Sequence, residues 1–556
     1  MTGSTDDLVF VALGGVGEIG MNLGLYGLGP AHARKWLMVD CGVSFGGPDL
    51  PGIDLVTPDI RFIEQRRDDL VGIVITHAHE DHYGALYDLW PRLGVPVYMT
   101  PFAAGLLTAK RAMERNAPKI DAEIFRQGER RMIGPFDVEM VPVSHSLPEP
   151  NALVLRTPFG TVLHTGDWKI DMDPVIGLPI DLDRLAAVGE EGVIAMVCDS
   201  TNAPREGTSP SEGEVAAGLR EVIAAAPGRV AVTIFASNVA RIRSVAEAAA
   251  ATGREVVVVG RAIRRVIDVA GELGFLDDLP PFRDEESYGY LPPEKVVALV
   301  TGSQGEPRAA LAKIAFGEQR NVTLAAGDTV IFSSRTIPGN EKAVGAIKNA
   351  LVTRGVRLVT DADALIHTSG HPRADEIRRL YGMIRPAAAL PVHGEAVHLA
   401  AHADIARKCG VKTVVVAMNG KVARLAPGKP EIIETVPSGI LVKDGTLLMT
   451  PETSGVSERR RLGFAGAMSV VVLLDERNEV AGDPIVTLFG LPDTDRDGTD
   501  FLAVVEKAVD GAVVSIPRQR RRDEELVAEA VRRAARAAVN ERWGKKPLCE
   551  VVVARI

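Results

Sequence analysis

Residues 76–82 read Thr-His-Ala-His-Glu-Asp-His and directly follow an apolar run at 72–76 that predicts a buried strand. Three histidines and one aspartate therefore lie within six residues at a predicted turn: His77, His79, Asp81 and His82. Imidazole and carboxylate groups are ligands that zinc prefers, and several of them are costly to bury without a metal. A lone histidine is more often structural, but this group predicts a metal site at the end of a strand.

Three further candidate ligands stand at the ends of other predicted strands. His145 follows an apolar run at 138–143, Asp167 follows one at 161–164, and His393 follows one at 387–392. Strand ends can gather at one edge of a sheet, so we expect these side chains to join the first four. The combined set exceeds the four ligands of a tetrahedral zinc and predicts two metal ions, an arrangement suited to phosphodiester hydrolysis.

The chain has 556 residues, which is too long for one compact core. Short apolar runs and turns continue to about residue 199, and a strand–helix alternation typical of a parallel sheet begins near 209. The apolar run at 387–392 then returns to the chemistry of the first region, which favours an insertion. We expect a first domain over 1–205, an inserted domain over 206–365, a return over 366–435, a Pro/Gly/Thr-rich linker over 436–456, and a β-β-α-α-β domain over 457–556.

Charge and cysteine content restrict the function and the location. The net charge of -10 argues against a general nucleic-acid-binding protein, so any RNA contact must come from a local groove or from metals. The cysteines are scattered singly, which predicts free thiols in a reducing compartment rather than a disulfide framework. No secretion signal and no apolar run of ~20 residues is visible, so we expect a cytoplasmic protein without a membrane contact.

A glycine-rich stretch near the N-terminus imitates a dinucleotide-binding motif. Gly15, Gly17 and Gly20 match the GxGxxG spacing, and Asp40 follows about twenty residues later. That motif requires a helix to begin at its third glycine, but residues 21–30 contain three glycines and a proline, which oppose a helix. Tight turns between strands are the favoured interpretation.

Three short motifs resemble those of the β-CASP nucleases. Residues 198–202 (Cys-Asp-Ser-Thr-Asn), 367–371 (His-Thr-Ser-Gly-His) and 391–395 (Pro-Val-His-Gly-Glu) are similar to their motifs A, B and C. Histidine in motif C, here His393, is typical of the members that act on RNA. Residues 235–238, 301–306 and 332–341 resemble the ribonuclease J family in particular, and the likeness runs from about residue 8 to 417 and more loosely beyond.

This resemblance implies a fold and a catalytic centre. The fold class is α/β: a metallo-β-lactamase αββα sandwich with an inserted β-CASP α/β domain and a small C-terminal α/β domain. The family pattern implies two Zn²⁺ per chain, the first held by His77, His79 and His145, the second by Asp81, His82 and His393, with Asp167 bridging. It further implies that Asp81 orients the attacking hydroxide and that His371, held by Asp199, protonates the leaving oxygen, with His367 as the alternative acid.

The resemblance also implies contacts with substrate and with a second kind of metal. The residues expected to contact the RNA backbone are Phe235, Ala236, Ser237, His367, Thr368, Ser369, Gly370 and His371. Ser237 and Asn238 have an alternative role as helix caps, and Arg335 lies in a turn or contacts a phosphate. Gly52, Asp54 and Asp444 resemble a structural calcium site, although short Asp/Gly loops are most often turns.

The expected function is RNA cleavage, both 5′-to-3′ exonucleolytic and endonucleolytic, in ribosomal RNA processing and messenger RNA decay. Products carry 5′-phosphates, and 5′-monophosphorylated ends are preferred. Expected partners are single-stranded RNA, a second or further copies in a homodimer or homotetramer, and an RNA-degradation complex. Two alternatives are a small-molecule hydrolase such as a lactonase or thioesterase, which leaves the insertion unexplained, and a zinc-stabilised RNA-binding scaffold. For the basic clusters at 459–461 and 518–522 the sequence leaves three alternatives open: a solvated surface, an extension of the RNA-binding surface, or an oligomer interface.

Overall fold

The structure is a computed structural model that describes residues 6–114, 116–337 and 339–556. These residues form two compact units. The first unit runs to Ser44 and then from Thr57 to Gly439, and the second comprises Phe45–Val56 and Ile440–Ile556. Every candidate zinc ligand and every residue of motifs A, B and C belongs to the first unit.

The first unit contains an eight-stranded sheet built largely from the N-terminal region. Across the sheet its strands are Glu431–Thr435, Lys421–Ala426, Asp7–Gly14, Leu23–Gly29, Lys35–Val39, Leu70–Val74, Val97–Met99 and Glu123–Ile124. The strand Leu23–Gly29 starts soon after the glycine-rich stretch, so the chain enters a strand where the dinucleotide motif would need a helix. Gly27 is required there because a Cβ would lie 2.7 Å from the Trp36 ring.

A seven-stranded sheet packs against the first one. Across the sheet its strands are Thr413–Val414, Ala388–Val392, Val193–Asp199, Gly160–His164, Asn151–Thr157, Phe136–Pro142 and Arg130–Ile133. One buried cluster joins Phe10 and Tyr26 of the first sheet to Met140, Leu153 and Leu390 of the second. The two sheets therefore form the inner layers of a sandwich.

Helices cover both outer faces of this sandwich. Those of the N-terminal region are Arg61–Glu64, Glu80–Tyr83, Leu86–Leu93 and Pro101–Arg111. Those packed on the second sheet are Leu182–Glu191, Ala374–Ile384 and Ala396–Lys408, whose Leu185, Ile377 and Ile405 share a core cluster with Met196. The expected αββα arrangement is confirmed.

The inserted domain is a six-stranded parallel sheet with helices. Its strands in order across the sheet are Arg283–Asp284, Glu255–Val259, Val296–Val300, Val230–Thr233, Thr329–Phe332 and Arg357–Val359. Its helices are Glu212–Ala225, Val239–Ala251, Arg261–Glu272, Ala310–Phe316 and Glu341–Thr353. The strands on either side of the insertion, Val193–Asp199 and Ala388–Val392, pair in parallel, which confirms that the chain returns to its host sheet.

The second unit contains two small sheets. The strands of the first are Leu447–Met449, Ile440–Asp444, Leu55–Pro58 and Ser44–Phe45, of which Ser44 and residues 57–58 are counted with the first unit. The strands of the second are Ile485–Phe489, Ala467–Leu474 and Leu548–Arg555. The helices Val456–Ala465, Phe501–Ser515 and Glu524–Trp543 complete the unit, and the last two pack on the three-stranded sheet. The expected β-β-α-α-β order is confirmed, but the segment 436–456 is folded into strands rather than extended as a linker. Pro, Gly and Thr mark tight turns as well as linkers.

The domain boundaries at 205, 365 and 435 stay predictions. No described helix is long and apolar enough to cross a membrane.

Candidate metal centre

The turn that carries the first four candidate ligands is fixed by a buried carboxylate. The helix Glu80–Tyr83 begins directly after His79, shortly after the end of the strand Leu70–Val74. Asp40 accepts hydrogen bonds from the Thr76 amide at 2.8 Å and from the Thr76 hydroxyl at 2.9 Å. The strand-to-helix turn is thereby held in the conformation that directs neighbouring side chains to one point.

The first cluster of ligand atoms consists of three imidazole nitrogens and a carboxylate oxygen. His79 Nδ1 lies 3.1 Å from His77 Nε2 and 3.0 Å from His145 Nε2. The Oδ2 atom of Asp167 lies 3.7 Å from His77 Nε2 and 3.8 Å from His145 Nε2. The structure thus brings together the residues expected to hold the first zinc.

The second cluster shares Asp167 with the first. His82 Nε2 lies 3.6 Å from Asp81 Oδ2 and 3.2 Å from Asp167 Oδ2. His393 Nε2 lies 3.4 Å from Asp81 Oδ2, and its Nδ1 lies 2.8 Å from Asp167 Oδ1. Within each cluster the candidate ligand atoms all lie within 4.8 Å of one another. Asp167 stands between two groups of ligands, as a bridging carboxylate must.

The chemistry of both clusters fits metal ions. His393 Nε2 is buried and, among the described residues, has only the 3.4 Å contact with Asp81 Oδ2 and no well-formed hydrogen bond, which is costly unless a cation occupies the space beside it. Burial lowers the pKa of His77 and of His145, and it lowers the pKa of His79 to about 4. These three rings are therefore neutral at pH 7, which is the form that binds a metal.

The other two candidate histidines lie in a more acidic environment. Burial by itself lowers the pKa of His82, but the charges of Asp167, Asp81 and Asp40 outweigh that effect and raise it well above its usual value. For His393 the same competition, dominated on the raising side by Asp167, gives a pKa of about 10. An excess of carboxylate charge at this cluster is a further reason for a cation there.

Oxygen atoms behind the ligands orient the imidazole rings. His82 Nδ1 lies 2.7 Å from Asp40 Oδ2, His145 Nδ1 lies 2.6 Å from the Gly370 carbonyl oxygen, and His77 Nδ1 lies 3.0 Å from the Thr76 hydroxyl. Such contacts fix the tautomer so that the other ring nitrogen faces the metal. Gly370 has no space for a side chain, since a Cβ would lie 2.2 Å from His145 Nδ1.

Motifs A and B meet in a histidine–aspartate pair beside the metal clusters. His371 Nδ1 lies 2.8 Å from Asp199 Oδ2 and 3.8 Å from Asp167 Oδ2. The other oxygen of Asp199 accepts hydrogen bonds from the amide and the hydroxyl of Thr201. Burial lowers the pKa of His371, but Asp199 and then Asp167 raise it to a net value above normal. The side chain of His371 stays 19% exposed, so its ring can reach a substrate.

The segments expected to contact RNA are held by the inserted domain and by its return. Residues 235–237 are half-buried and precede the helix Val239–Ala251, whose first turn is capped by the Asn238 side chain. In motif B, Thr368 donates to the Pro210 carbonyl, and Ser369 accepts from Asn202. His367 Nδ1 is buried and has no hydrogen-bond partner among the described residues. Burial together with the charges of Arg241, Arg335 and Lys169 lowers the His367 pKa to about 3.

The residues expected to bind calcium, Gly52, Asp54 and Asp444, belong to the second unit. Asp444 forms an ion pair with the Arg459 guanidinium, which also lies 3.5 Å from the Pro51 carbonyl oxygen. The Arg459 guanidinium therefore already places a positive charge beside the candidate calcium ligand Asp444.

Sequence reasoning missed two residues that support the ligands. In the sequence Asp40 matches only the misleading dinucleotide motif, although it follows the strand Lys35–Val39 as the ligands follow theirs. Asn22 belongs to none of the motifs, and its side-chain nitrogen lies 3.1 Å from His82 Nε2 and 3.4 Å from Asp81 Oδ2. A polar residue at a strand end was the available signal for Asp40, and no comparable signal marked Asn22.

Family models match most of the chain. Residues 28–261 match the metallo-beta-lactamase superfamily, and residues 227–351 match the ribonuclease J beta-CASP domain. Residues 355–416 match the Zn-dependent metallo-hydrolase RNA specificity domain, and residues 454–556 match the ribonuclease J C-terminal domain. The expected fold class is confirmed in all of its parts.

Relatives named ribonuclease J match over nearly the whole length. One from Sinorhizobium meliloti is 56% identical over 99% of this chain and 98% of its own. One from Mycolicibacterium smegmatis is 38% identical over 98% of this chain and 97% of its own. A protein of unknown function from Enterococcus faecalis, with a TM-score of 0.51 and 16% identity, covers 75% of this chain and 100% of its own, and it shares the fold. The chain therefore belongs to the ribonuclease J family of metallo-β-lactamase-fold, β-CASP nucleases.

Proposed function

We propose that the protein is a zinc-dependent ribonuclease that hydrolyses RNA phosphodiester bonds. The observation that carries this proposal is the position of the Asp199–His371 pair, whose Nδ1 atom lies 3.8 Å from the carboxylate shared by both ligand clusters. A proton donor is thus placed beside a predicted two-metal centre, as in-line displacement at phosphorus requires. Both the 5′-to-3′ exonuclease and the endonuclease activity, and the roles in RNA maturation and decay, are proposed from the family.

Two zinc ions are proposed; the residues of the two clusters would hold them, and Asp167 would be a ligand available to both. When bound, they would activate water for attack and neutralise charge on the phosphate. The rings of His77, His79 and His145 would bind as neutral ligands, and Asp40 and the Gly370 carbonyl hold His82 and His145 in the required tautomer. Asp81 is proposed to orient the attacking water.

Proton transfer to the leaving group is assigned to His371. The attacking water loses a proton to solvent as its oxygen forms a bond to phosphorus, the bond from phosphorus to the 3′-oxygen breaks, and the charged ring of His371 gives its Nε2 proton to that oxygen. A proton from solvent then restores the charged ring for the next turnover. Asp199 accepts a hydrogen bond from the Nδ1–H and stabilises the charged ring. The products are a 3′-hydroxyl and a 5′-phosphate. His367 is the weaker candidate because no carboxylate in the described part of the chain pairs with it and its pKa of about 3 keeps it neutral.

Binding of RNA by an acidic protein is proposed to depend on local contacts beside motif B. The side chains of Arg241 and Lys169 are fully buried and paired with carboxylates, whereas Arg335 is exposed. A phosphate would meet Arg335 together with the N-terminus of the helix Val239–Ala251, which favours anions. Residues 235–237 and 367–371 are proposed to contact the RNA backbone there. The net charge of -10 then does not oppose RNA binding.

Cleavage of defined RNAs tests this function and its rivals. Purified protein is incubated with 5′-monophosphorylated and 5′-triphosphorylated RNA, with and without a chelator, and with a lactone and a thioester. We expect chelator-sensitive cleavage of RNA, faster from the monophosphorylated end, with 5′-phosphate products. Hydrolysis of the lactone or thioester with intact RNA supports the small-molecule alternative, and RNA binding without cleavage supports the scaffold.

A structural calcium ion at Gly52, Asp54 and Asp444 is a separate proposal. A bound Ca²⁺ would have to share the Asp444 carboxylate with Arg459. Calorimetric titration of the full chain with CaCl₂, after removal of calcium by a selective chelator, tests it. Saturable binding of one ion, lost in Asp444→Asn, supports calcium, and no heat of binding shows that Arg459 alone satisfies the carboxylate.

Assembly and location are proposed from the family and from the surface. We propose a homodimer or homotetramer, a role in an RNA-degradation complex and a cytoplasmic location. The three-stranded sheet of the second unit exposes large apolar side chains, with Ile485 57%, Phe489 58% and Val552 49% exposed. Such a face is suited to burial against a second copy. Cell fractionation with detection of the chain in the membrane pellet would contradict the proposed location.

A further inference from the structure

Four fully buried charged side chains lie beside motif B, and the proposed mechanism uses none of them. Lys169 and Asp171 form one pair, with 2.7 Å between Nζ and Oδ2, and Arg241 and Glu212 form another, with 3.0 Å between Nη2 and Oε2. The side chains of all four have 0% exposure. Ion pairs that are so completely buried lose much of their hydration, and apolar residues of similar size often stabilise a core as well or better. Stability alone therefore does not account for them.

The Arg241 guanidinium connects three segments of the inserted domain. Its Nη2 pairs with Glu212 at the start of the helix Glu212–Ala225, while its Nη1 donates to the carbonyl oxygen of Ser333 at 3.1 Å and of Ile366 at 3.1 Å. The Ser333 hydroxyl also donates to the Ile366 carbonyl, at 2.6 Å. Ile366 directly precedes His367, so these hydrogen bonds fix the peptide unit from which motif B starts.

The Lys169–Asp171 pair connects the same region to the metal centre. Lys169 follows the shared ligand Asp167 by two residues, and Asp171 Oδ2 accepts a hydrogen bond from the Glu212 amide at 2.8 Å. The Lys169 ammonium and the Thr368 hydroxyl both donate to the Pro210 carbonyl, at 3.3 and 2.9 Å. Thr368 of motif B is thus connected, through the Pro210 carbonyl, to Lys169, which lies two residues after the candidate ligand Asp167.

Directional contacts of this kind fix position more narrowly than apolar packing does, because each hydrogen bond restricts both distance and angle. We propose that Arg241, with Glu212, is a positioning residue for RNA cleavage. It sets the His367–His371 segment at the correct distance from the metal centre, so that RNA held by motif B meets the metal ions. This inference rests on the proposed ribonuclease function, and it assigns Arg241 to the placement of motif B, which includes the proton donor His371, and not to contact with the reacting atoms.

The test compares a long substrate with a small one. Arg241→Lys keeps the charge but removes the planar fork that reaches Glu212, Ser333 and Ile366 together. The kcat/KM is measured on 5′-monophosphorylated RNA and on bis(4-nitrophenyl) phosphate, which needs the metal centre but not motif B alignment, and zinc content is measured alongside. We expect kcat/KM on RNA to fall about 10- to 100-fold, with zinc content unchanged and kcat/KM on the small ester within about twofold of wild type.

A matched control variant is Arg34→Lys. Arg34 forms a buried ion pair with Asp7, in which both hydrogen bonds are 2.7 Å long, and it lies between the strands Leu23–Gly29 and Lys35–Val39 of the sandwich rather than in the inserted domain. We expect this variant to lose stability and to retain wild-type kcat/KM on both substrates. If Arg241→Lys does not fold, Ser333→Ala must show the same selective loss on RNA, because it removes the hydroxyl that accepts from Arg241 Nη1 and donates to the Ile366 carbonyl, without removing a charge.

Each outcome separates this inference from the proposed function. Wild-type protein that cleaves no RNA overturns the proposed function itself. Wild-type protein that cleaves RNA, with an Arg241→Lys variant that loses zinc, loses both substrates equally or keeps full activity on RNA, overturns the positioning role alone. Should the wild type not hydrolyse the small ester, the decisive comparison is RNA cleavage against zinc content in the two arginine variants.

Discussion

His371 is the residue whose assignment is tested most simply. His371→Ala removes the ring beside Asp199 but none of the seven candidate zinc ligands, so we expect zinc content and fold to stay intact. The loss of a proton donor should reduce kcat on RNA about 10²- to 10⁴-fold. His367→Ala is the matched variant, and we expect it to raise KM with a much smaller effect on kcat. Loss of zinc from His371→Ala, or the larger loss of kcat in His367→Ala, would reverse the assignment.

Asp40 supports the ligands without being one of them. Asp40→Ala removes the acceptor of the His82 Nδ1–H and of the Thr76 amide and hydroxyl, so His82 loses its fixed tautomer. We expect zinc affinity to fall about 10- to 100-fold, as for other residues that orient a ligand histidine. Competition with a colorimetric chelator measures the affinity. An unchanged affinity would show that the turn at residues 76–82 holds its shape without Asp40.

The ligands were predictable from sequence because their signal is local. Four of them lie in one turn, and the remaining three each follow an apolar strand, so residue type and position both mark them. Asn22 and Arg241 could not be found in this way. Asn22 contacts Asp81 across 59 positions of sequence, and Arg241 contacts Ile366 across 125, so their partners exist only in the folded chain.

At the scale of elements, the sequence predicts the alternation of strands and helices, but it does not predict the strand that contains several glycines. The parallel order of the inserted domain followed from apolar runs of strand length between helical patterns. The sequence pattern does not predict the strand Leu23–Gly29, because glycines oppose strands as well as helices. Here packing decides: Gly27 makes space for the Trp36 ring.

The basic run at residues 518–522 has a structural role in the second unit. Arg521 donates to the carbonyl oxygens of Ile516 at 2.8 Å and Val514 at 3.3 Å, at the end of the helix Phe501–Ser515. Arg518 pairs with Glu479 and donates to the Arg477 carbonyl. Such contacts indicate that these two side chains stabilise the folded unit around the end of the helix Phe501–Ser515, rather than contact RNA.

Arg521→Ala should therefore destabilise the second unit. Removing hydrogen bonds from a charged donor to these carbonyls should lower the free energy of unfolding by about 1–3 kcal/mol and the unfolding temperature by a few degrees. Differential scanning calorimetry of the full chain measures the shift, and the neighbouring exposed Arg520→Ala is the control, with no shift expected. A loss of RNA affinity in Arg521→Ala without any thermal shift would favour the RNA-binding surface instead.

At the scale of the whole molecule, chemistry and assembly are expected to separate. All candidate catalytic residues lie between His77 and His393, whereas the exposed apolar face belongs to the C-terminal sheet. Removing the chain after Val456 should leave zinc binding in place and reduce assembly and processivity. Sedimentation compares the masses of the truncated and full-length forms. Equal oligomers in both would show that the C-terminal domain is not the assembly device.

Zinc reconstitution tests the central claim most directly. Protein stripped by a chelator is titrated with Zn²⁺, and bound metal and cleavage of 5′-monophosphorylated RNA are followed together. Because seven ligands converge on two clusters that share Asp167, we predict that cleavage is absent from the metal-free protein and reaches its plateau at about two zinc ions per chain. Cleavage that persists in the metal-free protein, or a plateau at one bound ion, would contradict a two-zinc ribonuclease.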